Sequence, residues 1–166
     1  MAAMDESATP NRSHALAVIM ERIALNNRWL SEKWEAKGVV QDASPAGSPP
    51  KTIVEREGLT QILFPGYRLR LQRDEAEGYY LNLTSPEPKV FVLWRMDDDN
   101  AVPVEVTVST EEGGRWLDGG HSVDGVPMPP EIYAWVGDYV ERNYRPEPKK
   151  RIKPRSFIHP KDRVNR

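Results

Sequence analysis

The sequence predicts an α+β protein: a strongly bent antiparallel sheet or partly closed barrel of about seven strands, with two C-terminal helices. Three observations predict it. Short runs of alternating apolar and polar residues recur between His14 and Ser109. Fifteen prolines and eleven glycines in 166 residues favour short elements joined by turns. The hydrophobic period changes to a helical one only after Ser109, so the strands precede the helices.

The elements follow in order. Ala15–Ile23 alternates and reads as a strand, and Asn26-Asn27 is a turn because Asn tolerates positive φ. Trp29–Val40 reads as a second strand. Gln41–Pro50, rich in Pro, Gly and Ser, holds neither a ladder nor a helix. Leu59–Phe64 is a short strand ended by a turn at Pro65-Gly66. In Tyr67–Arg73, Tyr67, Leu69 and Leu71 share a dry face opposite Arg68, Arg70 and Gln72. Asp74–Gly78 reads as a turn into a hairpin-like stretch, Gly78–Arg95, with strands Tyr79–Thr84 and Lys89–Arg95 around the tip Ser85-Pro86-Glu87-Pro88. Adjacent strand residues point to opposite faces, which places Tyr79 and Tyr80 on different sides. Asp97–Asn100 turns the chain into Val102–Ser109. Ser109 or Thr110 caps a helix over about Glu111–Asp118. Gly119–Met128 reads as a loop. Pro129-Pro130 opens a last helix whose stripe is Ile132, Trp135, Val136, Tyr139 and Val140, stopped by Arg145-Pro146-Glu147-Pro148.

This organisation gives a disordered N-terminus over residues 1–13, one β-rich domain over 14–145 and a basic, flexible tail over 146–166. The formal net charge of −2 hides an asymmetry. Arg145–Arg166 holds nine Lys/Arg against two acids, and the rest of the chain holds 14 against 23. An acidic body therefore carries a basic tail.

Composition narrows the chemistry. Cysteine is absent, which excludes disulfides, thiolate zinc and iron–sulfur clusters held by this chain alone. No secretory signal and no apolar run of about 18 residues is visible, so a cytoplasmic location without a membrane span is expected. Asn82-Leu83-Thr84 fits a glycosylation pattern, which without secretion is a coincidence. Neither G-x-S-x-G, a Walker loop nor G-x-G-x-x-G occurs, and His14, His121 and His159 are isolated. Asp97-Asp98-Asp99-Asn100 lacks the alternate ligand spacing of a calcium loop and reads as a turn. The expected protein is non-catalytic, has no cofactor and acts by binding.

The residues that could contact a protein partner lie in three places. Tyr80 and the tip Pro86, Glu87 and Pro88 form one, and the loop carrying His121 and Asp124 another. The third is the basic run Lys149, Lys150 and Arg151. Two alternatives remain open: a small-molecule or cofactor module using the barrel interior, and a basic tail that engages nucleic acid or an anionic surface. The acidic body makes nucleic acid the weaker candidate.

A run of motifs carries a family resemblance. These are Asp74–Arg95, Val123–Glu131, Trp135–Glu141 and Tyr144–Lys150, with Val18–Arg22 and Trp29–Trp34 at the opening. The chain resembles a proteobacterial family of unknown function whose members are often encoded beside formate dehydrogenase and molybdoenzyme maturation genes. The resemblance implies an accessory or assembly protein, or a subunit, of a molybdenum- or tungsten-dependent formate dehydrogenase, whose partner is a subunit of that enzyme.

Overall fold

A computed structural model describes residues 13–145 and contains two antiparallel sheets and three α-helices. Strands β1 (Ser13–Ala24), β2 (Glu32–Gln41), β3 (Lys51–Arg56) and β4 (Leu59–Arg70) form one sheet in the order β2-β1-β4-β3. Strands β5 (Lys89–Asp97), β6 (Asn100–Thr107) and β7 (Ser122–Pro127) form the other, in the order β6-β5-β7. The helices are α1 (Ala76–Leu83, after a 3₁₀ turn at Arg73–Glu75), α2 (Thr110–Asp118) and α3 (Pro130–Asn143). The expected antiparallel α+β character holds, but the sheet divides in two and closes no barrel. The expectations for residues 1–12 and 146–166 lie outside the described residues. Among the described residues no helix is long and apolar enough to cross a membrane.

Alternation explains the core. Leu16, Val18 and Met20 of β1 turn inward with Trp34 and Ala36 of β2 and Phe64 of β4. They meet Val90 and Val92 of β5, Val106 of β6 and Val126 of β7, so the space between the sheets is filled with side chains. The expected stripe of α3 buries Ile132, Val136, Tyr139 and Val140, with Trp135 packed beside them. A helix of this length is marginal alone, and burial of each such side chain contributes about 1.5–3 kcal/mol. Helix α2 starts where its sequence says, with Ser109 Oγ accepting from Glu112 N at 3.1 Å. It lies on the face of β5 opposite the core, where Gly113 allows Phe91 to approach.

Four local expectations are corrected. Tyr79–Thr84 is not a strand: α1 places Ala76, Gly78, Tyr79 and Asn82 on its buried side, leaving Tyr80 exposed. Two adjacent tyrosines favour a strand by propensity, and tertiary contacts override it. Gly78–Arg95 is therefore a helix–strand unit, not a hairpin. Second, Pro65-Gly66 does not end a strand. Leu16 pairs with Tyr67 and Val18 with Phe64, so β4 bulges there and continues. Proline is tolerated because β3 pairs with β4 only as far as Leu63. Third, Lys51–Arg56 and Ser122–Pro127 are strands that alternation did not reveal; the first is a short, exposed, charged edge. Fourth, β2 begins at Glu32, so Trp29 belongs to the preceding loop.

Candidate functional site

An open cleft lies between two strand edges. Among the described residues, the outer edge of β4 has no strand partner beyond Leu63, and β6 pairs with β5 alone. Tyr67 bridges the resulting cleft by donating its hydroxyl to Pro103 O at 2.7 Å. On one side of this bridge is a groove of about 390 Å³ with Thr52, Ile62, Phe64, Asp97, Asp98 and Val102 on its walls. On the other is a groove of about 400 Å³ lined by Gly66, Arg68, Arg70, Gln72, Val104, Glu105 and Glu112.

The second groove is charged on both walls. Arg68 and Arg70, two positions apart on β4, are both exposed, and neither forms an ion pair among the described residues. Glu105 of β6 and Glu112 of α2 stand opposite. The loop 42–50 closes one end by resting on Gly66. That residue has φ 91°, and a Cβ there would sit 2.8 Å from Pro45 O, so both conformation and space require glycine. At the other end Gln72 N donates to Tyr79 Oη at 2.9 Å. Burial holds the Tyr79 phenol far above its ordinary range, so it stays neutral and can donate to Arg70 O.

The residues nominated from the sequence do not converge. Tyr80 is exposed and stacks on Tyr144 with ring centroids 5.0 Å apart. Pro86 and Glu87 are exposed in the α1–β5 connection, and Pro88 O accepts from Met128 N. His121 is exposed just before β7, near the Trp94 end of β5. Five residues of strand, about 17 Å, separate it from the Pro88 end. Asp124 turns inward. Its Oδ2 accepts from Ala36 N and from Trp94 Nε1, each at 2.8 Å, and so ties β7 to β2 and β5. Lys149, Lys150 and Arg151 lie outside the described residues. Arg68 and Arg70 were legible as the wet face of a strand. Nothing in the sequence showed that β6 supplies the opposite wall. Among the described residues no three His, Asp or Glu side chains are grouped so as to hold a metal ion.

Two further polar contacts explain residues that drew attention in the sequence. Asn82 is buried, donates to Lys89 O and Val108 O at 2.7 and 2.8 Å, and accepts from Lys89 N. It is a bolt between α1, β5 and the end of β6. Ser109 Oγ, besides capping α2, donates to Glu75 Oε1 at 2.6 Å, and Glu75 also pairs with Arg115.

Neither the comparison with curated proteins nor that with solved structures finds a significant match. Residues 15–153 match the family described as "Protein of unknown function (DUF3305)". Both longer resembling stretches, 74–95 and 123–150, fall inside that range, which spans most of the chain. The protein belongs to the DUF3305 family.

Proposed function

We propose that this protein is a non-catalytic binding protein, an accessory or assembly factor for a molybdenum- or tungsten-dependent formate dehydrogenase. The observation that carries the binding part is the groove beside Tyr67. Two exposed arginines there form no ion pair among the described residues, and Glu105 and Glu112 line the same open cleft. Such a surface offers charge-assisted, geometrically specific contacts to a partner. The enzyme assignment is supported by the resemblance in residues 74–95 and 123–150. The test is co-purification with formate dehydrogenase, using wild type and the double variant Arg68→Glu, Arg70→Glu, together with deletion of the gene. Capture by the wild type, at least tenfold weaker capture by the variant, and reduced formate dehydrogenase activity on deletion are expected. Normal activity and metal content in the deletion strain sink the enzyme assignment.

A second reading takes the same groove as a small-ligand site, since about 400 Å³ falls within the usual range of ligand pockets. Saturable binding of a small anionic metabolite, abolished by the same double variant, would favour it over a protein partner.

A further inference from the structure

Helix α1 turns one face to solvent. Glu77, Tyr80, Leu81 and Thr84 follow one another along it at helical spacing, and Tyr80 and Leu81 are 37% and 46% exposed. Two neighbours complete this surface. At the end of α3 the Tyr144 ring stacks on Tyr80 with centroids 5.0 Å apart. The start of α2 meets α1 at Gly78, whose oxygen accepts from Thr110 Oγ1 at 3.3 Å, and this brings Glu111 alongside. Desolvation raises the pKa of the Tyr144 phenol, and Glu77, Tyr80 and Glu111 nearby add to the shift. The end of α3 is thus fixed beside two carboxylates. Tyr144 N donates to Val140 O at 2.8 Å, and Arg145 Nη1 donates to Glu141 O at the same distance.

The segment that leaves this point has the opposite charge. The 3₁₀ turn, α1 and α2 together hold six acids against Arg73 and Arg115, and Arg115 is taken up by Glu75. Glu77 and Glu111 form no ion pair among the described residues. Residues 146–166 hold eight Lys/Arg against Glu147 and Asp162. The family match runs to residue 153, so the matched sequence includes Lys149–Arg151. Lys149 follows Arg145 by four residues, a reach of at most about 14 Å. A tether this short gives an effective concentration on the order of millimolar, at which exposed ion pairs too weak to hold a free peptide suffice. Pro146 and Pro148 come first, and proline-rich segments dock on aromatic surfaces.

We propose that residues 146–153 fold back as a latch on the solvent face of α1, with Pro146 and Pro148 on the Tyr80–Tyr144 pair and Lys149–Arg151 beside Glu77 and Glu111. The latch covers Tyr80 and occupies the basic run, so neither is free for a partner until it opens. It depends neither on the arginine groove nor on the enzyme assignment. The chain has no cysteine, so an introduced pair reports without interference. The test compares Leu81→Cys, Ile152→Cys with Tyr133→Cys, Ile152→Cys in the full chain, positions 81 and 133 being equally exposed at 46% and 47%. Under mild oxidation at low salt the disulfide within one chain is expected to form at least about fivefold faster at 81, and about 1 M NaCl should remove most of that preference. Glu77→Lys with Glu111→Lys should abolish it, and adding Lys149→Glu, Lys150→Glu and Arg151→Glu should restore it. In the chain without cysteines, trypsin should cut at 149–151 at least about fivefold more slowly than in Glu77→Lys, Glu111→Lys. Equal disulfide rates at 81 and 133, a preference unchanged by the glutamate substitutions, or equal trypsin rates overturn the latch. Disulfides formed only between two copies of the chain overturn it too.

Discussion

Removing the Asp124 carboxylate separates a structural role from a recognition role for this residue. One oxygen takes two donors, Ala36 N on β2 and Trp94 Nε1 on β5, each at 2.8 Å. Ala36 is 7% exposed, and β2 carries an extra residue, Lys37, at the bulge opposite Ile19 and Met20. Hydrogen bonds to an ionised acceptor contribute about 1.5–3 kcal/mol each, and a buried donor left unpaired loses that amount or more. Asp124→Ala therefore costs about 3–5 kcal/mol, a large share of the 5–15 kcal/mol typical of a domain. At about 3 °C per kcal/mol the melting temperature falls by about 10–15 °C. Asp124→Asn keeps an acceptor oxygen but loses the charge, and should cost about half as much. Urea unfolding of wild type, Asp124→Ala, Trp94→Phe and the double variant forms a cycle with a coupling of about 1–2 kcal/mol. A loss below about 1 kcal/mol in Asp124→Ala, or strict additivity with Trp94→Phe, refutes the clasp. Lost partner binding at unchanged stability would instead make Asp124 a contact residue.

Three further outcomes test the packing. Gly78→Ala places a Cβ 2.1 Å from Ser109 Oγ, so despite alanine's better helix propensity it should cost about 2–4 kcal/mol in urea unfolding. Ser109→Gly in the same chain should restore part of this, and a neutral Gly78→Ala would contradict the close approach. Asn82→Leu leaves Lys89 N and O and Val108 O without their partner, and should destabilise by about 3–5 kcal/mol; an effect within about 0.5 kcal/mol is what a surface site would give. His14 stacks on Trp135, and burial lowers its pKa, with Glu131 partly opposing the shift. The folded state thus disfavours the proton more than the unfolded chain does. This contribution is intact above about pH 6.5 and is lost as pH falls towards the lowered folded value. His14→Gln should flatten the decline of melting temperature between pH 7 and 5; an unchanged slope assigns that decline to other groups.

What was legible in the sequence is what local physics decides. Leu16, Val18 and Met20 alternate, Lys89–Arg95 is β-branched and aromatic, and Ser109 stands where a cap is needed, so β1, β5 and α2 could be read directly. The stripe of α3 was legible for the same reason. Helix α1 was not. Its eight residues include Gly78 and two tyrosines, and its conformation is fixed by Asn82 and Ser109, whose partners come from β5, β6 and Glu75. Strand β3 was hidden because an exposed edge has little alternation to show. Asp124 was nominated for contact because Gly119–Met128, which carries it, reads as a loop; its partner Ala36 is 88 residues away, and no local pattern encodes that pairing.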